Sequence, residues 1–242
     1  MSMTAMTATL PSAPSARRHL QKTARAHAVP FRRFPRPPSR PAGRPLVSSE
    51  QFLDWLEPGI YADLIVGQIF MHSPVTLRHA RYVNFLDNLV RDYIAEFNLG
   101  ELHRENIAVR LGPRDTFLPD LSYFTPEQVT RLGDAYVNFA PVFVVEVLSP
   151  ATAARDRGVK FAAYETHGVM EYWLIDPNNA EHHFYRRAGT GDILEEYAAD
   201  GAERIDALSI PGFWLKRKWL AAPDRFPPVA SCLAELRAAR KK

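Results

Sequence analysis

Cysteine is almost absent from this sequence of 242 residues, in which Cys232 stands alone. A single cysteine excludes an intramolecular disulfide, and no cluster of cysteine and histidine has the spacing of a structural zinc site. Uncharged apolar runs of about 18 residues are also missing, and the N-terminus lacks the apolar core of a secretory signal. These absences predict a soluble, cytoplasmic protein with no membrane contact.

Three common motifs are absent as well: the phosphate-cradling GxxxxGK, the dinucleotide-binding GxGxxG and the nucleophile elbow GxSxG. The sequence therefore does not indicate phosphate binding by a P-loop, dinucleotide binding or catalysis by a serine at a nucleophile elbow. The composition, 46% hydrophobic and 24% charged, is that of an ordinary globular protein with a sizeable core.

Acidic residues are missing from residues 1–48, which hold nine of the 30 Lys and Arg residues. The rest of the chain has 21 basic and 27 acidic residues, a net charge of −6, so the pI of about 9.0 reflects the N-terminus. Eight of the twenty prolines lie in residues 1–45, a composition that disfavours helix and core. We predict a disordered, basic Pro/Arg-rich leader at 1–46. Four interpretations of this leader are open: a solvated tail, a product of a start codon placed too far upstream, a transit peptide, or a tether that binds polyanions.

Hydrophobic periodicity predicts a mixed α/β domain at 47–222, followed by a C-terminal tail at 223–242. The run 142–148 is apolar without alternation, which is typical of a central strand covered on both faces. The predicted helices are 49–56, 76–97, 152–167 and, in the tail, 233–240. The predicted strands are a hairpin at 61–71 turning at Gly67, then 105–111, 117–124, 142–148 and 171–176, with an antiparallel extension at 181–187, 192–197 and 206–210.

Glu146 interrupts the apolar run 142–148, where an unpaired carboxylate costs several kcal/mol. Three partners are open for this carboxylate: a basic side chain in a buried salt bridge, the N–H groups of a helix N-terminus, or a metal ion. Asp120 also stands among apolar residues, although alone it is interpreted as a turn aspartate. If their strands are adjacent, the two carboxylates approach each other, and either one pKa rises or a divalent cation lies between them. An oxygen-rich site with few histidines favours Mg²⁺ or Mn²⁺ over Zn²⁺.

Asp156 and Lys160 lie four residues apart in a predicted helix and hence on one face. They form an exposed ion pair of small energetic value, or the Lys160 ammonium reaches the carboxylates and stabilises charge on a phosphoryl oxygen. Nearby aromatic residues at 164, 172 and 173 are predicted to be core. The neighbours His182 and His183 alternate between strand faces, which disfavours joint metal binding.

The succession of these residues resembles the Uma family of bacterial proteins in the PD-(D/E)XK nuclease superfamily. The resemblance spans roughly residues 48–220. It is carried by Tyr61-x-x-Leu-Ile-x-Gly, Met71-x-Ser-Pro, His79, Pro119-Asp120, Val-Val-Glu146-Val-Leu-Ser-Pro, Asp156-x-x-x-Lys160, Tyr164 and Gly168-Val-x-Glu171-Tyr-Trp-Leu-Ile-Asp176-Pro.

This resemblance implies a restriction-endonuclease-like core, with a mixed central β-sheet flanked by α-helices. It also implies a Mg²⁺- or Mn²⁺-dependent endonuclease that hydrolyses phosphodiester bonds in DNA. Asp120 and Glu146 bind the metal in this assignment. Lys160 replaces the lysine that the standard motif has two residues after the glutamate, where this chain has Leu148.

Two further residues are site candidates by the same resemblance. Asp63 stands where the family usually has a glutamate, and it contacts the metal site or faces solvent on its strand. His79 hydrogen-bonds the scissile phosphate or a metal-bound water, or it is a structural histidine. Nucleic acid, with DNA preferred, is the expected partner, and a homodimer is compatible with cutting both strands. A nuclease-fold protein without activity, with a binding or regulatory role, stays open as the alternative.

Overall fold

The computed structural model describes residues 46–179, 181–187, 193–198 and 202–240. The predicted leader lies outside these ranges, apart from its last residue. None of the helices within them is both long enough and apolar enough to cross a membrane.

Twelve strands and six α-helices are present in the described ranges. The strands are β1 (Ala62–Ile65), β2 (Gln68–Met71), β3 (Glu101–Arg104), β4 (Val109–Gly112), β5 (Asp115–Phe117), β6 (Leu121–Phe124), β7 (Phe143–Val147), β8 (Glu171–Ile175), β9 (His183–Arg187), β10 (Leu194–Glu196), β11 (Arg204–Asp206) and β12 (Trp214–Lys216). The helices are α1 (Ser49–Trp55), α2 (Leu77–Phe97), α3 (Pro126–Val129), α4 (Ala153–Arg155), α5 (Phe161–Thr166) and α6 (Val229–Arg240). A π-helical turn, Asp156–Lys160, joins α4 to α5, and a 3₁₀ turn, Arg217–Leu220, follows β12.

A six-stranded mixed sheet forms the centre of the molecule. Its strand order is β10-β9-β8-β7-β6-β3. Strands β7 and β8 run parallel, whereas the other neighbours are antiparallel. Every residue of β7 is buried, because helices and loops cover both faces of the sheet. The predictions of a mixed α/β fold and of a central strand at 142–148 are confirmed.

A second sheet has the order β2-β1-β5-β4 and is entirely antiparallel. The β1–β2 hairpin turns at Val66 and Gly67, with φ angles of 49° and 74°. Positive φ at both loop residues gives the turn a twist that matches the twist of the strands. The hairpin predicted at 61–71 is therefore confirmed, and it places Asp63 in the middle of β1.

Helix α2 packs its apolar stripe against the central sheet and against α6. The side chain of its N-cap, Thr76, accepts a hydrogen bond from the His79 backbone N–H, and the helix ends at Asn98 in the left-handed conformation. Cys232 and Leu233 of α6 are buried in the same apolar cluster as the inner face of α2. Helix α6, predicted at 233–240, begins about one turn earlier, just after Pro228.

Four further elements differ from the prediction. Only the last three residues of the predicted strand 105–111 are in a strand, β4, because residues 105–108 form the connection from β3 in the central sheet to β4 in the second sheet. The predicted strand 117–124 is broken around Pro119, which cannot donate a ladder hydrogen bond, and here the chain passes from the second sheet to the central one. Of the last predicted strand, 206–210, only Asp206 is in a strand, β11, which pairs with β12 in a separate ribbon. The helix predicted at 152–167 contains the π-helical turn.

Candidate active site

Asp120, which directly precedes β6, lies across from Glu146 on the adjacent strand β7. Strand β6 pairs antiparallel with β7, with Leu121 across from Val145, so the next pair in this register is Asp120 and Glu146. Asp120 is fixed by the Val147 backbone N–H, which donates to Asp120 Oδ2 at 2.7 Å. Cross-strand neighbours on one face have their side chains close together, so the sheet holds two buried carboxylates side by side.

Glu146 has the partners that its burial requires. Its Oε1 lies 2.5 Å from Lys160 Nζ and accepts a hydrogen bond from the Tyr164 hydroxyl at 2.8 Å. Burial raises the pKa of Glu146 to about 8; Lys160 opposes this shift, while Asp156 and other neighbouring carboxylates add to it. Tyr164, predicted to be core, is fully buried and also contacts the candidate site.

The π-helical turn directs Asp156 and Lys160 inward, where the Lys160 ammonium lies 3.7 Å from Asp156 Oδ1. Both side chains are buried, each with 4% relative exposure, so the interpretation as an exposed ion pair is wrong. Burial lowers the pKa of Lys160, but the surrounding carboxylates, Asp63 first, raise it well above its ordinary value. Lys160 is therefore a permanent ammonium group in a cluster of acids. Single-turn π-helical insertions are frequent at functional sites.

Asp63 connects the second sheet to this cluster. It is buried, so the alternative of a solvent-facing strand residue is wrong. Its Oδ1 accepts from the Leu118 backbone N–H at 2.8 Å, and its Oδ2 lies 3.4 Å from Lys160 Nζ. Burial raises the pKa of Asp63, but Lys160 and His72 outweigh this effect and lower it to about 2. The ammonium of Lys160 thus contacts carboxylates from both sheets.

His72 is a site residue that was missed by the sequence prediction. Its Nε2 lies 3.1 Å from Asp63 Oδ2 and its Nδ1 lies 3.0 Å from Glu105 Oε1. Burial lowers the pKa of His72, but the hydrogen bonds to Asp63 and Glu105 raise it to about 10. The sequence feature that could have identified His72 is its position in the Met71-x-Ser-Pro turn, directly after β2 and beside the strand that carries Asp63.

His79 faces Asp120 from the first turn of α2. Its Nε2 lies 3.3 Å from Asp120 Oδ2, while its Nδ1 is buried without a hydrogen-bond partner in the described part of the chain. Burial lowers the pKa of His79, but the hydrogen bond and charge of Asp120 outweigh it and raise the pKa. This geometry makes His79 a group that orients Asp120.

All five predicted site residues line one cavity of about 190 Å³. They are Asp63, His79, Asp120, Glu146 and Lys160. His72, Glu105, Arg155 and Asp156 line it as well, as do the segments 73–76 and 149–152. Leu148, at the standard lysine position, is instead buried in an apolar cluster.

Asp120 and Glu146 fit a hard divalent cation by the chemistry of their donor atoms. Within the described ranges, Asp120 Oδ1 and Glu146 Oε2 make no hydrogen bond, since the bonds of these carboxylates use the other oxygen. The same ranges contain no group of three or more His, Cys, Asp or Glu side chains arranged to hold an ion. Mg²⁺ commonly uses one or two carboxylates and keeps several waters, so a two-carboxylate, water-rich site is the arrangement that fits.

Known proteins share both the sequence pattern and the fold. Residues 49–220 match the family model Uma2, described as "Putative restriction endonuclease". The uncharacterized protein slr1290 of Synechocystis sp. is 29% identical over 167 residues, which cover 66% of this chain and 85% of that protein. The crystal structure of a "putative nuclease belonging to DUF820" from Anabaena variabilis superposes with a TM-score of 0.60 at 19% identity, over 72% of this chain and 97% of the other. At this identity the structural likeness shows the fold, and it confirms the predicted nuclease-like architecture. Since the matched residues 49–220 make up more than half of the chain, this protein is a member of the Uma2 family.

Proposed function

We propose that this protein is a metal-dependent endonuclease that hydrolyses phosphodiester bonds in DNA. The observation that carries the proposal is the placement of Asp120, Glu146 and Lys160 around one cavity, with Lys160 Nζ 2.5 Å from Glu146 Oε1. Metal-dependent phosphodiester hydrolysis needs ligands for the cation, and a fixed positive group near the developing negative charge assists it. Membership of the Uma2 family supports this proposal.

The roles of the residues follow from their contacts. Asp120 and Glu146 would hold Mg²⁺ or Mn²⁺, which supplies Lewis acidity toward a phosphoryl oxygen and lowers the pKa of water. Lys160 donates a hydrogen bond to the attacking water or to a non-bridging phosphate oxygen, because its proton is retained at neutral pH. Asp63 positions this ammonium from the second sheet, and His79 orients Asp120 as an outer ligand partner does in metal sites.

The test of this proposal is a cleavage assay with the full chain. Supercoiled plasmid, linear duplex, single-stranded DNA and RNA are incubated with Mg²⁺, Mn²⁺ or EDTA. The wild type is expected to cleave DNA only with a divalent ion, and Glu146→Gln and Asp120→Asn to cleave at least about a hundredfold more slowly. Glu127→Gln, an exposed carboxylate in α3, is the matched control and should cleave like the wild type. Cleavage that persists in EDTA or in Glu146→Gln would contradict the proposal.

A second candidate is a nuclease-fold protein with a binding or regulatory role. The observation that favours it is that the carboxylates already have cationic or imidazole partners, with Lys160 beside Glu146 and His79 beside Asp120. Titration calorimetry with Mg²⁺ or Mn²⁺ on wild type, Asp120→Ala and Glu146→Ala separates the two candidates. Ion binding that both variants lose supports the nuclease, whereas a folded wild type that binds no ion, with or without DNA, favours the second candidate.

The DNA partner, a homodimeric state and a cytoplasmic location are part of the same proposal. A DNA partner is supported by the family, although the net charge of −6 outside residues 1–48 gives no broad electrostatic attraction to it. A homodimer would match two-fold symmetric cutting of a duplex, and light scattering would measure it. A cytoplasmic location is consistent with the single buried thiol, Cys232.

A further inference from the structure

Arg155 differs from the other basic groups of the cavity in having no acidic partner. His72, His79 and Lys160 each lie within 3.3 Å of a carboxylate oxygen. Arg155 forms no ion pair with any residue that the structure describes, and its guanidinium donates only to the Ala151 carbonyl, at 3.4 Å. The site therefore contains a guanidinium group that pairs with no acidic side chain in the described ranges.

The position of Arg155 is fixed at the boundary between the cavity and solvent. Its side chain is partly exposed, whereas Asp120, Glu146 and Lys160 are buried. Its guanidinium lies over the ring of Phe70, 4.9 Å from the centroid, a contact that restrains a long side chain. A ligand that enters the cavity from solvent meets Arg155 before it meets the buried acids.

A second positive feature faces the same cavity. The segment 73–76 leads into the N-terminus of α2, a helix of 21 residues, and its N-cap Thr76 and the first-turn residue His79 line the cavity. The first backbone N–H groups of a helix carry a partial positive charge. Arg155 and this helix terminus come from different parts of the chain, and both favour a negatively charged ligand.

We propose that Arg155 binds a phosphate group of the nucleic-acid substrate next to the phosphodiester that is cut. This inference rests on the proposed function, and it assigns the contact that holds the substrate strand. A guanidinium presents two parallel N–H donors to phosphate oxygens, which suits it to this task better than an ammonium. The contact also offsets the repulsion between the phosphate and the acidic cavity.

The test uses the full chain and a fluorescein-labelled DNA oligonucleotide, single-stranded and duplex, followed by anisotropy in EDTA so that no cleavage occurs. Arg155→Gln should bind at least about tenfold more weakly than the wild type and lower the slope of log affinity against log salt by about one. Arg155→Lys should recover part of the affinity. With Mg²⁺, the KM for cleavage should rise in Arg155→Gln while kcat changes little.

Arg131→Gln is the matched control, because the Arg131 guanidinium also lies over a phenylalanine ring, 4.4 Å from the Phe139 centroid, away from the cavity. The basic leader contributes equally to every variant, so only differences between variants are compared. Equal affinity of Arg155→Gln and Arg131→Gln overturns the inference, as does a wild type that binds neither DNA form. A wild type that binds DNA through Arg155 but never cleaves it overturns the nuclease proposal alone. Thermal unfolding checks that both variants are folded.

Discussion

Replacing Glu146 by glutamine is expected to stabilise the fold while removing a ligand of the proposed metal. The carboxylate is buried among other acids, whereas glutamine keeps the shape and the acceptor for the Tyr164 hydroxyl. Glutamine carries no charge that burial penalises. The variant therefore measures how much stability this carboxylate costs the folded protein.

The size of this effect depends on pH. Glu146 has an ordinary pKa of 4.5, which the fold raises to about 8. Because the folded-state pKa is the higher one, the folded chain retains a proton that the unfolded chain releases between pH 4.5 and 8. The wild type then loses stability as pH rises through this window, by up to about 1.4 kcal/mol per pH unit. Glutamine does not titrate, so its advantage should rise from about 1 kcal/mol at pH 5 to at most about 4 kcal/mol at pH 8.

Urea unfolding in EDTA, followed by tryptophan fluorescence from pH 5 to pH 8, measures this difference. The control is Glu127→Gln, since the pKa of exposed Glu127 is lowered, mainly by a backbone hydrogen bond. Glu127 is ionised in both states across the window, so its variant should show a constant difference from the wild type. A constant difference for Glu146→Gln as well, or a variant less stable than the wild type at pH 8, would refute the reasoning.

Three further outcomes are expected. Lys160→Met leaves the buried carboxylate of Asp63 without its ammonium and should lower the free energy of unfolding at pH 7 by about 3–5 kcal/mol in urea titrations. His72, with a pKa of about 10, should show no titration of its imidazole carbon-bound protons by NMR between pH 6 and 8, and a midpoint near 6.5 would contradict the ion pair. Its stabilising contribution is present below pH 6.5 and is lost as pH rises through about 10. Gly100→Ala should cost more than about 1 kcal/mol in the same titrations, because Gly100 has a φ of 112° and a Cβ there meets the Phe124 carbonyl.

The sequence predicted those features of the site that depend on a short stretch of neighbouring residues. A carboxylate inside a run of apolar residues, as at Glu146, needs a partner wherever the strand lies. The spacing of Asp156 and Lys160 places both on one helical face, which the π-helical turn preserves. Their burial depends on packing against other elements, so the spacing alone left the exposed pair open.

Contacts between distant segments could not be predicted in this way. His72 and Glu105 are 33 residues apart, and their contact depends on how the second sheet docks onto the central one. Asp63 and Leu118 are 55 residues apart, and their contact depends on the pairing of β1 with β5. The break around Pro119 is another such case. Proline excludes a ladder hydrogen bond, but only the tertiary structure shows that the chain changes sheets at this residue.

Lys160 bridges the two sheets, since its ammonium contacts Asp63 from one and Glu146 from the other. A chain in which only the central sheet has formed holds Glu146 but lacks the ion pair that positions Lys160 from the opposite side. The contact between Lys160 and Asp63 therefore belongs both to the packing of the two sheets and to the candidate active site. Under the proposed function, a molecule whose second sheet has not docked lacks the Asp63 contact that positions Lys160, so correct assembly of the two sheets is a condition for cutting DNA.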